Sequence, residues 1–396
     1  MRSTFLPLAQ PFLGEEEIAE VADTLRSGWL TTGPKAHRLE EEFARFIGAP
    51  AALALNSCTG ALHTGLAALG IGPGDAVFTT AITFAATVNV IEHVGATPVL
   101  VDVEADTLNL SPARLAEAVE EVARKRGLAG GLRPTAIMPV HLYGHPCDME
   151  AILELASRYE MAVLEDAAHA LPAHYEGRPV GTLGTLTAFS FYATKNMTTG
   201  EGGMLTGDPQ LVEKARVLSL HGMSADAWKR YSAEGSWYYE VVAPGFKYNM
   251  TDIQASLGLH QLRRLPGFHR RRQEIVHRYN EAFSEVEEVQ TPAERPGIGH
   301  AWHLYVLRLN LETLTIDRAR FIQELRARNI GTSVHFIPIH LHPYYRDRYG
   351  YQPTSFPVAF REYQRIVSLP LYPGMSDQDV DDVIEAVSEV VRRYRR

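Results

Sequence analysis

Short apolar runs and amphipathic stretches alternate through the first half of the chain. Ala51-Ala52-Leu53-Ala54-Leu55 reads as a strand and leads into a helix over residues 61–69. Residues 75–79 and 99–103 are the next apolar runs. A helix over 112–126 follows, with Ser111 as its cap and Pro112 at its first position. The run 136–140, a helix over 149–159, and the runs 161–164, 186–191 and 204–206 complete the series. Strands that are apolar nearly throughout, and separated by helices, predict a mostly parallel sheet covered on both faces.

The pattern changes near residue 220. Residues 221–245 are rich in Gly, Ser, Trp and Tyr and have no period, which marks a long functional loop. A long helical region opens at Thr251-Asp252-Ile253-Gln254 and runs to about Phe283, with a break expected at Pro266-Gly267. A Pro-rich turn over 291–297, a strand over 301–309, a helix over 316–328 and a terminal helix over 377–393 predict a smaller α+β unit. The expected division is a large α/β domain, 1–264, and a small C-terminal α+β domain, 265–396. Val380, Val383, Ile384, Val387 and Val391 recur at helical spacing, which is a packing face.

Composition narrows the function. The 396 residues are 45% hydrophobic and 21% charged, an ordinary globular balance. With 38 basic and 47 acidic residues the net charge is −9, and a chain this acidic lacks the basic stripe that nucleic acid requires. Two cysteines make neither a disulfide framework nor a four-thiolate zinc site. No apolar run approaches the roughly 20 residues that cross a bilayer. Residues 1–7 lack the apolar core of a signal peptide, so a cytoplasmic enzyme is expected. His141, His145 and Cys147 have a metal-like spacing, but Tyr143-Gly144 and Pro146 interrupt the helix it would need. His335, His340 and His342 form a second cluster; no metal site is expected. Arg270-Arg271-Arg272 reads as a solvated helix face.

Polar residues at the carboxyl ends of parallel strands are where ligands bind. Asn56-Ser57-Cys58-Thr59-Gly60 opens a helix after the first strand, a place for an anion or simply a helix cap. Glu165-Asp166 ends the run 161–164 and offers a carboxylate either to a protonated ring nitrogen or to the next helix. Lys195 follows the run 186–191 among small and apolar residues and precedes Gly200, Gly202 and Gly203. Desolvation there favours the neutral amine, which suits Schiff-base chemistry. Lysine, acid and backbone cradle together are what pyridoxal phosphate needs.

Taken in order, these motifs resemble the DegT/DnrJ/StrS family of nucleotide-sugar aminotransferases over nearly the whole chain. The marks are Ser27-Gly28-Trp29-Leu30-Thr31-Thr32-Gly33, Asn56-Ser57-Cys58-Thr59, Val163-Leu164-Glu165-Asp166-Ala167-Ala168-His169, the stretch from Phe189 through Lys195 to Gly203, and Gly245-Phe246-Lys247-Tyr248-Asn249-Met250-Thr251-Asp252. Pro244 to Asn249 and His300-Ala301-Trp302-His303-Leu304 are most similar to aminotransferases of UDP-linked 4-keto pentoses and hexoses, such as the UDP-4-amino-4-deoxy-L-arabinose aminotransferases. The resemblance implies a pyridoxal phosphate-dependent transferase fold of type I, aspartate aminotransferase-like. It implies transfer of an amino group from glutamate to a nucleotide-linked keto-sugar, in a homodimer with shared active sites.

The same resemblance implies the residue roles. Lys195 is the Schiff-base lysine and proton carrier, and Asp166 pairs with the ring nitrogen and has a depressed pKa there. His169 lies near the ring hydroxyl. Thr59, the backbone of Cys58 and Gly60, and Ser190 hold the phosphate, and Phe84 stacks on the ring unless it is core. Lys247 or Asn249 reaches the partner's cofactor; many members carry Asn and Arg at these two positions. Thr31, His335, His340 and Tyr344 contact substrate. Two other readings stay open: a glutamine-dependent cyclitol aminotransferase, and a cofactor-holding sensor without turnover. An anionic ligand in so acidic a chain implies a local positive cleft, to which Lys247 and Arg346 would contribute.

Overall fold

The computed structural model describes residues 2–128, 130–224 and 238–396. Within the period-free stretch 221–245, residues 225–237 lie outside the described residues. Helices α1 (Glu15–Ser27) and α2 (Pro34–Ile47) come first. The strand β1 (Ala52–Leu55), helix α3 (Cys58–Leu69), β2 (Asp75–Thr80), α4 (Ala85–His93), β3 (Thr97–Val101), α5 (Pro112–Lys125), β4 (Arg133–Met138), α6 (Met149–Arg158) and β5 (Ala162–Asp166) then alternate. Two short strands, β6 (His174–Tyr175) and β7 (Arg178–Pro179), precede β8 (Leu186–Ser190), β9 (Gly203–Gly207) and α7 (Pro209–Ser219). Seven strands form one sheet in the order β1-β9-β8-β5-β4-β2-β3. All neighbours pair in parallel except β9, which is antiparallel to both β1 and β8.

The strands are buried on both faces, as their unbroken apolar pattern predicts. Alternation sends Ala54, Phe78, Ile137 and Val163 into a core with α2, α5, α6 and the helix α8 (Asp252–Phe283). It sends Leu55, Val77, Met138 and Leu164 into a second core with α3, α4 and α7. Helices α1, α2, α4 and α7 do not appear among the expected elements. The two N-terminal ones are bounded by glycines in the left-handed region, Gly28 (φ 76°) and Gly48 (φ 75°), which end them as C-caps do.

The expected break at Pro266-Gly267 is absent, because α8 runs unbroken over 32 residues with Pro266 inside it. Proline removes one helix donor, but Leu262, Leu265 and Phe268 are buried on either side and hold the axis. The boundary expected between residues 264 and 265 therefore falls within one continuous helix. Beyond it, β10 (Val289–Gln290), β12 (Tyr305–Leu309) and β13 (Ile366–Leu369) form an antiparallel sheet, while β11 (Ile298–Gly299) pairs with β6. This sheet shares a core with the second half of α8, with α9 (Arg318–Ala327) and with the terminal helix, and Leu6 from the N-terminus joins that core too. Two short helices, α10 (Pro343–Tyr349) and α11 (Pro357–Tyr363), lead to β13, and the terminal helix α12 (Asp377–Tyr394) buries Val380, Val383, Val387 and Val391 as its spacing predicts.

Candidate active site

A cavity of about 530 Å³ opens at the carboxyl ends of β5 and β8. Of the expected residues, Cys58, Thr59, Phe84, Asp166, His169, Ser190, Lys195 and His335 line it. They arrive from several separate turns of the fold, among them those after β1, β2, β5 and β8, as an α/β sheet permits.

The anion end is built by α3. The Ser57 hydroxyl accepts the Gly60 N–H at 3.0 Å, and the Ser57 carbonyl accepts that of Ala61 at 3.0 Å. This cap leaves the N–H groups of Cys58 and Thr59 at the open, positive end of the helix. Gly203 on β9 faces them; a Cβ there would meet the Ser57 carbonyl carbon at 2.5 Å and the Cys58 nitrogen at 2.6 Å. Only a glycine lets the strand and the helix end come this close. Gly60 itself lies within the first turn rather than on the cavity wall. Burial pushes the Cys58 thiol well up, so it is not a nucleophile.

Asp166 ends β5. Its Oδ2 accepts the Thr87 hydroxyl at 2.8 Å and its Oδ1 the Ala168 N–H at 3.1 Å. Thr83 backs Thr87 at 2.7 Å, a short hydroxyl chain on the first turn of α4. Burial outweighs these donors and raises the carboxyl above its ordinary value. The expected depression is thus not a property of this chain's own groups; it requires a cation against the open side of the carboxylate. Lys195 sits across the cavity, where burial, only partly offset by Cys58 and Asp166, lowers its amine to about 8.

His169 accepts the Tyr143 N–H at Nδ1, 3.2 Å away, so the neutral ring carries its proton on Nε2. Its pKa lies well below the usual value, from burial first and then from Lys195 and His335. Phe336 stacks on it at 5.7 Å, and Phe84 lies 5.9 Å from Phe336. Phe84 is 63% exposed, so it is a wall residue and not part of the core. His335 comes from the segment between α9 and α10 with its Nδ1 2.8 Å from the Ser368 hydroxyl, and burial followed by Lys195 lowers it to about 4.

Other expected residues stand apart from this cavity. Thr31 is exposed, and its carbonyl accepts the Asp252 N–H at 3.1 Å. His340 is buried against Phe356, with Nε2 3.2 Å from the Pro353 carbonyl. Tyr344 is exposed on α10, and Arg346 pairs with Asp347 at 2.8 Å. Lys247 is exposed, while Asn249 donates to the Thr32 hydroxyl at 2.7 Å. Among the described residues the cations expected to gather in the cleft do not do so: the lining holds Lys195 against Asp166 and Glu201. His141 and Cys147 do not present ligands, since His141 Nε2 meets Glu165 at 2.8 Å and its Nδ1 accepts the Cys147 N–H at 3.0 Å.

Sequence reasoning missed Thr87, Asn196 and His303. Thr87 was recoverable as a polar residue at i+4 from Thr83, facing the end of β5. His303 sits in a quoted motif, but nothing local shows that its ring turns into the cavity.

The geometry fits pyridoxal phosphate: an amine near neutrality, a carboxylate with an unused side and a capped helix end narrowed by Gly203. Residues 11–388 match the model of the DegT/DnrJ/EryC1/StrS aminotransferase family. The spore coat polysaccharide biosynthesis protein SpsC of Bacillus subtilis is 53% identical over 393 residues, 99% of this chain and 98% of that one. An uncharacterized protein of Methanocaldococcus jannaschii is 52% identical over the full length of both chains. The sugar aminotransferase Spr1654 of Streptococcus pneumoniae, described as putative and solved in a PMP-form, superposes with a TM-score of 0.89 at 37% identity, covering 98% of this chain and 99% of that one. The same protein is known in a PLP-form.

Proposed function

Because this chain belongs to the DegT/DnrJ/EryC1/StrS aminotransferase family and is a pyridoxal phosphate-dependent sugar aminotransferase, we propose that it moves an amino group from glutamate to a nucleotide-linked keto-sugar, a UDP-4-keto-sugar first of all. The product is an amino sugar, and the likeness to a spore coat polysaccharide biosynthesis protein supports a role in polysaccharide biosynthesis. The observation that carries the reading is Lys195 and Asp166 on one cavity with the α3 N-terminus.

When bound, pyridoxal phosphate supplies an aldehyde that exchanges amines and a ring that takes up electrons. The chain's own residues do the rest. Lys195 Nζ, lowered to about 8, is neutral often enough near pH 8 to take a proton and return it. Thr87 and Ala168 hold both oxygens of Asp166, so its open side is aimed at a ring N–H. The free N–H groups of Cys58 and Thr59, with Ser190 nearby, receive the phosphate. His169 offers Nε2–H to a ring oxygen. Phe84 and Phe336 wall the cavity and exclude water.

The reading includes a two-fold dimer in which Lys247 crosses to the partner's phosphate. Lys247 is exposed, whereas the Asn249 amide is held by Thr32. A cation supplied this way reconciles a phosphate ligand with an acidic chain whose own cavity carries one lysine among the described residues. Size-exclusion chromatography with light scattering tests it; a fully active monomer refutes it. For the substrate, a panel of nucleotide keto-sugars is offered with glutamate and the amino products are read by mass spectrometry. Amination of inososes with glutamine, and of no nucleotide sugar, overturns the reading.

A further inference from the structure

Helix α8 carries a cation that the chemistry above does not use. The triple arginine expected on a solvated face is split by the helical period. Arg270 is exposed, while Arg272 falls on the inner face and is 2% exposed. Arg272 has no carboxylate partner among the described residues. Its Nη1 donates to three carbonyls, of Leu371 at 2.8 Å, Trp302 at 3.2 Å and His303 at 3.3 Å, and its Nε has no partner. A buried guanidinium without a counter-ion is destabilising in itself, so what it holds is of interest.

It holds the segment that delivers His303. Trp302 has φ 49°, a conformation that bulky residues rarely adopt. Ala301 N–H donates to the Gly144 carbonyl at 2.9 Å and His303 N–H to that of Tyr143 at 3.0 Å. The Trp302 indole stacks on His300 at 3.8 Å. Strained backbone of this kind persists where its surroundings over-determine it. The outcome is a His303 ring on the cavity wall, 4.4 Å from the His169 ring.

The polarity of that ring follows from Asn196, the residue after Lys195. Asn196 Nδ2 donates to the Leu171 and Ala301 carbonyls, both at 2.8 Å. Both amide hydrogens are thereby used, and Oδ1, 3.2 Å from His303 Nδ1, can only accept. His303 therefore carries its proton on Nδ1, and Nε2 is bare. His169 has the reverse arrangement. The charged and titratable groups facing His303 are Lys195 after β8, His169 after β5, Arg272 on α8 and His335 from the segment between α9 and α10. Lys195 and Arg272 repel an imidazolium as cations, and the neutral rings of His169 and His335 supply no negative charge to favour one.

We propose that Arg272 and Asn196 are positioning residues that keep His303 as a neutral imidazole with a bare Nε2 at the cavity, so that the site offers a substrate hydroxyl or amine an acceptor beside the donor of His169. The consequence for turnover rests on the aminotransferase reading; the state of the ring does not. The test is nitrogen NMR of the holoenzyme labelled in histidine, with His303 assigned by its loss in His303→Gln. The expected result is an unprotonated Nε2 from pH 5.5 to 8.5. In Arg272→Met the His303 midpoint moves up by about one pH unit or more, and the acid limb of kcat moves with it. Arg272→Lys keeps the charge and restores the limb. An Nε2–H tautomer in the wild type, or an acid limb that Arg272→Met leaves in place, overturns the proposal. Should Arg272→Met not fold, Asn196→Asp decides the question: a carboxylate in place of the amide must raise the His303 midpoint, and an unchanged midpoint refutes the coupling. Absence of sugar amination by the wild type would sink the functional reading while leaving the tautomer result standing.

Discussion

Glu165 and Asp166 are consecutive residues of β5, both carboxylates and both buried, yet their surroundings are opposite. Strand alternation sends them to different faces of the sheet. Glu165 has three donors and does not line the cavity. One oxygen takes the His141 Nε2–H at 2.8 Å, the other takes the Gly184 N–H at 2.7 Å and the Thr187 hydroxyl at 2.8 Å. Asp166 receives two donors and turns its remaining capacity to a cavity that also holds Lys195. A carboxylate can accept about four hydrogen bonds. On the proposed reading, what separates a structural acid from a reactive one is therefore whether its unused capacity faces the cavity, not burial or residue type.

The widest gap between the two faces is expected at Lys195. Lys195→Ala lowers kcat by about 10³-fold or more, because the proposed proton carrier is gone, while its unfolding midpoint does not fall. Next comes the swap of each acid for its amide. Asp166→Asn costs about 10²-fold in turnover with little change in unfolding. Glu165→Gln reverses this pattern. It breaks a buried network and costs about 2–3 kcal/mol of stability, with turnover per folded molecule nearly unchanged. Urea unfolding and steady-state rates on the same samples read both. Turnover more sensitive to Glu165→Gln than to Asp166→Asn would break the comparison.

Sequence carried one side of this comparison better than the other. The doubly covered sheet was legible because its strands are apolar without interruption, and Lys195 and Asp166 were legible because both follow such runs. The antiparallel β9 was not, since Met204-Leu205-Thr206 looks the same in either direction. Pro266 misled, because a helix break is a local rule and the packing of Leu265 and Phe268 is not local. Arg272 misled for the opposite reason: three like residues in a row look solvated, and only the period of α8 buries the third. Thr87, Asn196 and His303 act by reaching across the fold, which no spacing along the chain records.

Lys195 also gives the cavity face a pH signature that the Glu165 face lacks. Its folded pKa of about 8 lies below the ordinary lysine value of 10.5. Between those values the unfolded chain binds more protons than the folded one, so this group makes stability rise as pH climbs from about 8 to 10.5 and lowers it again as pH falls. Other groups titrate in that window, so the quantity to measure is a difference. In cofactor-free protein, Lys195→Met should flatten the rise relative to wild type, by at most about 3 kcal/mol for a shift of this size. Equal slopes in the two proteins would mean that the amine is ordinary.

The finest probe exchanges one methyl for one hydroxyl on each face. Thr87→Val keeps the shape of the side chain but removes a donor from Asp166 and strands the Thr83 hydroxyl. Burial already raises this carboxyl, and the Thr87 hydroxyl is the largest opposing influence. Without it the carboxyl rises further, so the ionised form is lost at a higher pH as pH falls. A net hydrogen bond is worth about 1 kcal/mol, which corresponds to roughly a five-fold loss of kcat, larger on the acid side. Thr187→Val makes the same change on Glu165, which retains His141 and Gly184. It should cost about 1 kcal/mol of stability and leave the kcat–pH profile where it was. A profile that moves equally in both variants would show that the two acids communicate through β5, and the distinction between the carboxylate that faces the cavity and the one that does not would then fail.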